Sequence, residues 1–329
     1  AVAVPNGPSW RLLTGDELGV LLADHLLSRS AEIGPNRLVT TTVVSSSMLA
    51  DIARHHGVRF VQTLTGFKWI MQAALQYPDH QPVLGYEEAL GYSIGDVVSD
   101  KDGVSAALVV AEMVSELKAE GRGLLDRLDD LHSRHGVFVT GQRAVKFEST
   151  GSTVPEMDQA MTMLRTTPPT ALGAEVVTDV VDLADGSDRL PPTDGVILHL
   201  DGGRVVIRPS GTEPKMKLYG EMIEPVDVDL STARRRARTR LSSVLDSAVA
   251  LAARPERRAK ADLREPAQVQ ARARALFDRP IEGLERAQTL RNIVRCIDLT
   301  TLEGDDTAGR VRAMCSTARR PDPADATVG

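Results

Sequence analysis

Eight consecutive residues, Arg208-Pro209-Ser210-Gly211-Thr212-Glu213-Pro214-Lys215, combine two hydroxyls, a glycine, an arginine and a lysine. A phosphate dianion needs several donors converging at about 2.8 Å, with positive charge to offset its desolvation. Arg208 offers a bidentate fork, Ser210 and Thr212 single hydrogen bonds, and Lys215 a point charge, while Gly211 leaves the backbone bare enough for close approach. The Gly-Lys-Ser/Thr ending of a Walker loop is missing. Taken alone, the same residues also suit a Pro/Gly turn that happens to hold polar groups. A second cluster, Gly85-Tyr86-Glu87-Glu88-Ala89-Leu90-Gly91-Tyr92, stands at the C-terminal end of a predicted strand, where ligands sit in open α/β sheets. Glu87 and Glu88 can accept hydrogen bonds from sugar hydroxyls there, or stand as solvated carboxylates of a turn. Lys68, within Thr65-Gly66-Phe67-Lys68-Trp69, and Lys101, within Lys101-Asp102-Gly103, are individually weaker cationic candidates. Phe67 and Trp69 read as packing residues.

Other chemistries find less support. The seven histidines include His55-His56 and the pair His132 and His135, with Asp51 and Asp130 nearby, but no recognised metal spacing. Ser45-Ser46-Ser47 lacks the glycines of a nucleophile elbow and is expected to cap the helix that follows. Five arginines between Arg234 and Arg240 lie beside an apolar Leu241/Val244/Leu245/Ala248 stripe, the pattern of a solvated helix face rather than of a nucleic-acid surface.

The elements that must position these groups alternate. Thr14, with Glu17 three residues on, forms a capping-box signature before the amphipathic LGVLLADHLLSR. Arg37 to Val44 is continuous and β-branched, as in a buried strand. A helix over SSMLADIARHHG, a strand VRFVQTL, a helix from Lys68 to Leu75 and a strand PVLGYEE complete a βαβ layer with a mostly parallel sheet. A long helix from Val104 ends near Gly121. Beyond Gly136, VFVTGQRAVKF, a helix near Met157 to Arg165, GVILHLDGGRVVIRPSG with a Gly202-Gly203 hairpin signal, and a helix over STARRRARTRLSSVLDSAVALAAR read as an antiparallel α+β unit.

The chain of 329 residues carries a net charge of −6, divided between −9 up to residue 253 and +3 from Arg254 onward. Neither value is basic enough to imply nucleic acid. No stretch approaches the roughly 18 apolar residues of a membrane span, and the start lacks the order of a signal peptide. The two cysteines, Cys296 and Cys315, exclude a disulfide framework and suit a reducing cytoplasm.

In order, TGDELGVLL, VTTTVVSS, TGFKW, GYEEALGY, KDGVSAA and RPSGTEPKMKLY resemble the α-D-phosphohexomutase superfamily, over roughly residues 1 to 250. The likeness is strongest to its phosphoglucomutase, phosphomannomutase and phosphopentomutase members. It implies an α/β fold, a mixed α/β domain followed by a smaller α+β C-terminal domain. The corresponding boundaries are a remnant of the second mutase domain (1–30), the third domain (31–135), the fourth (136–253), and a linker with a helical tail (254–329). By this resemblance Arg208, Ser210, Gly211, Thr212 and Lys215 bind phosphate, and Glu87, Glu88, Lys68 and Lys101 face the sugar. It further implies an isomerase that moves phosphate between C1 and C6 of a hexose, or C1 and C5 of a pentose, through a bisphosphorylated intermediate. The phosphoserine loop and the Mg²⁺-binding DGDADR-type loop of the family are not found in the sequence, so catalytic and metal residues are expected to be absent and the chain inactive by itself. Ala89 stands where many hexose mutases have a serine, which fits a smaller or differently oriented sugar. Arg291 to Arg320 resembles the N-terminal segment of deoxyribose-phosphate aldolase without its Schiff-base lysine. The alternative expectation is therefore a non-catalytic phosphosugar-binding module fused to such an aldolase in nucleoside catabolism.

Overall fold

A computed structural model describes residues 1–30, 34–147, 155–186, 190–211 and 213–253. Thr212 and residues 254–329, with the segment expected to resemble an aldolase, lie outside the described residues.

The chain opens with a short hairpin, β1 (Ala3–Asn6) and β2 (Ser9–Leu12), then enters α1 (Gly15–Arg29). Thr14 accepts from the Glu17 N–H, and the Glu17 carboxylate accepts from the Thr14 N–H, so the expected capping box is present on both sides. There follow β3 (Arg37–Thr42), α2 (Met48–His55), β4 (Arg59–Thr63), α3 (Phe67–Gln76), β5 (Gln81–Glu87) and β6 (Gly91–Ile94). The sheet order is β4-β3-β5-β6, with β3 parallel to β4 and β5, and β6 antiparallel at the edge. All six β3 residues are buried, as a central strand covered on both faces requires. Helices α4 (Gly103–Ala119) and α5 (Leu124–His135) complete this layer. Its core joins Leu21, Leu22 and Leu27 of α1 to Val39, Leu84 and Tyr86 of the sheet and to Met113 and Leu128.

Beyond it, β7 (Val137–Lys146), α6 (Pro155–Thr166), β8 (Ala171–Leu172), β9 (Glu175–Asp182), β10 (Val196–Leu200), β11 (Gly203–Pro209) and β12 (Lys215–Glu224) lead to α7 (Leu230–Ala253). The six strands form one antiparallel sheet, β7-β12-β11-β10-β9-β8. Helix α7 lies on it through Leu241, Val244, Leu245 and Ala248, the stripe read from the sequence. Gly141 and Gly220 are register partners on β7 and β12. A Cβ at Gly220 would lie 2.8 Å from Leu241 Cδ1, and one at Gly141 3.2 Å from Leu241 Cδ2, so the bare pair lets the helix seat. Three of the five helix arginines have carboxylate partners: Arg234 bonds Asp129, Arg236 bonds Asp227, and Arg240 bonds Glu175 and Glu224. That pairing belongs to a structural face, as the sequence pattern indicated.

The two layers meet along a polar seam with an apolar patch beside it. Asp16, at the start of α1, accepts from the Ser46 N–H (2.8 Å) and from Thr140 Oγ1 of β7 (2.7 Å). Glu221 of β12 accepts from Ser46 Oγ and the Ser47 N–H, both at 2.8 Å. The apolar patch joins Val43, Val44 and Leu64 to Ile197, Val206 and Tyr219.

Candidate phosphosugar site

Strands β11 and β12 present the basic loop. Arg208 and Lys217 are register partners, as are Lys215 and Lys146 across β12 and β7. The loop is closed by the Ser210 N–H donating to the Lys215 carbonyl at 2.8 Å. A side chain at Gly211 would meet nothing within 4 Å, so the glycine keeps clear the space in front of the loop. Lys215 is paired with Glu213. The guanidinium of Arg208 lies 5.9 Å from the Tyr219 ring centroid, and its Nε is buried with no protein partner. A buried donor of this kind is costly unless something else completes it.

Lys217 was not singled out by sequence reasoning. Burial, then the neighbouring Arg208 and Lys215, push its ammonium below the usual lysine range. A cation held down by neighbouring cations is the condition an anion relieves. The signal was present as the second lysine in Lys215-Met216-Lys217, whose side chain the antiparallel register sets beside Arg208.

The acidic loop stands at the end of β5. Glu87 Oε1 accepts from the Gly66 N–H at 2.9 Å. Glu88 is largely buried; burial raises its carboxyl above the usual range and Glu87 adds to this, while Ser45 and Arg208 oppose it. The field of Glu88 is also felt at Lys217 and Tyr219. The acidic and basic loops, more than a hundred residues apart, thus face each other across the seam. Lys101 lies against this loop: a Cβ at Gly91 would sit 2.7 Å from Lys101 Cδ and 3.4 Å from Glu87 Oε2. Its ammonium is 5.0 Å from the Phe67 ring centroid and 2.9 Å from Asp100 Oδ1. Lys68 is exposed, 5.3 Å from the Trp69 ring centroid. A cleft of about 250 Å³ opens beside these groups, lined by Thr65, Trp69, Asp194, Val206 and Arg208 among others.

Ser47 occupies the N-cap of α2 without a side-chain capping bond, and the serine run caps the helix through Ser46 instead. Only Ser46 Oγ accepts from a helix N–H, that of Met48 at 3.2 Å. Among the described residues no group of three or more His, Cys, Asp or Glu side chains is arranged to hold a metal ion. The Mg²⁺ implied by the resemblance does not fit the side chains described, and no step is assigned to it.

Residues 14–133 match the family model for the phosphoglucomutase/phosphomannomutase α/β/α domain III, and residues 167–225 match that for its C-terminal domain, together more than half of the chain. The chain belongs to the phosphoglucomutase/phosphomannomutase family. A probable phosphomannomutase of Haemophilus influenzae is 36% identical over 222 residues, 67% of this chain and 43% of that protein. A probable phosphoribomutase of Schizosaccharomyces pombe is 33% identical over 237 residues, 65% of this chain and 40% of that protein. A phosphopentomutase of Homo sapiens is 31% identical over 238 residues, 66% of this chain and 39% of that protein. The chain therefore spans about two fifths of the length of these relatives. The open-form crystal structure of pp63/parafusin, a phosphoglucomutase from Paramecium, matches with a TM-score of 0.53 at 18% identity, covering 73% of this chain and 42% of that one. This family member thus carries the mixed α/β and C-terminal folds expected from its sequence.

Proposed function

We propose that this chain supplies the phosphosugar-recognition surface of a phosphosugar mutase, an isomerase that moves phosphate between two positions of one sugar. The observation that carries the reading is the proximity of Glu88 to Arg208 and Lys217, close enough for their charges to act on one another. Arg208, Lys217, Lys215 and Ser210, with Gly211 and Thr212, hold the phosphate that is not being transferred. Glu87 and Glu88 accept hydrogen bonds from the sugar hydroxyls, and Lys68 and Lys101 add positive charge on the domain III side. A bisphosphorylated intermediate that turns over between half-reactions presents either phosphate to the same basic loop. Binding rather than turnover is the role assigned to these side chains. The reaction is placed in the cytoplasm, consistent with the sparse cysteines.

Calorimetric titration of the 329-residue chain with glucose 1-phosphate and with ribose 5-phosphate tests the site. Arg208→Ala should weaken binding about 10- to 100-fold, the worth of a charge-assisted hydrogen-bond pair. Equal heats for the wild type and Arg208→Ala would overturn the assignment.

The likeness of residues 291–320 to the start of deoxyribose-phosphate aldolase supports a second reading, a phosphosugar-binding module linked to pentose phosphate cleavage. A marked preference for ribose 5-phosphate in the same titrations favours it; a preference for glucose 1-phosphate removes it.

A further inference from the structure

Ser45 sits in the turn between β3 and α2 and is 1% exposed. Its Oγ is 2.8 Å from Thr42 Oγ1, accepts from the Glu88 N–H at 3.1 Å, and reaches Glu88 Oε2 at 3.3 Å. A hydroxyl has one proton and two lone pairs. The Glu88 N–H takes one lone pair and the Thr42 hydroxyl can donate to the other, which leaves the Ser45 proton for the Glu88 carboxylate. One buried side chain thus holds both the backbone and the side chain of a residue 43 positions away.

The turn carrying Ser45 is itself held from the C-terminal sheet. Arg204 Nη2 of β11 donates to the Ser45 carbonyl at 2.7 Å, and Arg204 Nε donates to Glu221 Oε2 at 3.1 Å. The other oxygen of Glu221 accepts from Ser46 and Ser47. Arg204 stands on β11, the strand that also carries Arg208. The chain of bonds therefore runs from the strand of the basic loop, through Ser45, to the acidic loop.

We propose that Ser45 is a positioning residue for Glu88, fixing its carboxylate relative to the phosphate loop so that sugar and phosphate are met in one geometry. The inference rests on the phosphosugar-recognition reading. Holding a glutamate in a single rotamer before the ligand arrives removes its ordering cost from binding. Ser45 also opposes the effect of burial on the Glu88 carboxyl, so its loss shifts Glu88 toward the protonated form, which accepts less well.

The test uses the full 329-residue chain, titrated with glucose 1-phosphate and ribose 5-phosphate, as wild type, Ser45→Ala, Glu88→Gln and the double variant. Ser45→Ala should weaken binding about tenfold, and the double variant should bind no more weakly than Glu88→Gln alone. Wild-type affinity in Ser45→Ala, or a loss that adds in full to that of Glu88→Gln, overturns the proposal. In ¹³C-carboxyl NMR titrations the Glu88 transition should move to higher pH in Ser45→Ala; an unmoved transition also overturns it. Ser45→Cys, which keeps the volume but offers a weak donor, replaces the alanine variant should that fail to fold. If the wild type binds neither sugar phosphate, the recognition reading itself fails, and the NMR titration still decides whether Ser45 sets the state of Glu88.

Discussion

Glu88 is confined from below as well as from the side. A Cβ on Gly15 would lie 2.0 Å from the Glu88 carbonyl oxygen, backbone against backbone, with no flexible side chain to give way. Gly15→Ala must therefore push the acidic loop outward or tilt the start of α1. The expected cost is about 1–3 kcal/mol in urea denaturation, together with loss of phosphosugar binding in calorimetry. Two residues on, Leu90 has φ 68°, the only non-glycine among the described residues with positive φ. A leucine held there stores of the order of 1 kcal/mol of backbone strain, which the surrounding loop must offset. The candidate ligand groups themselves were legible from residue type: arginine, lysine and hydroxyls around a glycine, and paired glutamates after a strand. Ser45, Arg204 and Gly15 were not, because their importance lies in contacts that span tens to more than a hundred residues and leave no local spacing.

At the scale of elements, legibility followed the strength of local signals. Helix α1 was readable because Thr14 and Glu17 cap it reciprocally, and β3 because a buried central strand is apolar or β-branched throughout. Thr14→Ala should cost about 1 kcal/mol with an unchanged denaturant m value, since it removes one cap without altering the surface exposed on unfolding. A larger loss with a changed m value would mean that the hairpin and α1 unfold apart. By contrast, β9 was not assigned from sequence. None of its residues Glu175–Asp182 is fully buried at the far side of the sheet, which blurs the apolar signal. Helix α5 was missed between the Gly121 and Gly136 stops. It is polar apart from Leu124, Leu125, Leu128 and Leu131, and much of its anchoring is ionic: Arg127 and Arg134 reach the buried Asp24.

At the scale of the molecule, the seam between the layers is one pH-sensitive part. Burial raises the Asp16 carboxyl from 3.8 to about 7, against the opposing bonds from Ser46 and Thr140, with Glu221 and Glu88 adding to the rise. A carboxyl raised in the folded state contributes stability that is complete below its unfolded pKa and is lost as pH climbs through the folded value. The stability of the wild type relative to Asp16→Asn should therefore fall between about pH 4 and 7, by at most about 4 kcal/mol. Thermal melts of both proteins at pH 5 and pH 8 check this; a difference that does not change with pH removes Asp16 as the source. The asparagine keeps an acceptor for the Ser46 N–H and offers an amide to Thr140, so it mimics the neutral acid.

The strand order of the C-terminal sheet has a consequence for how the protein is made. Strands β8 to β12 follow one another as neighbours, but β7, the first to be synthesised, pairs only with β12, the last. On the ribosome β7 emerges early and its ladder must wait until Lys215–Glu224 has followed. Glu221, which clamps the Ser45 turn, arrives with that same strand. Until it does, the early half of the chain carries an unpaired strand edge and an acidic loop without its brace. The recognition surface therefore comes together late in translation, in one closing step.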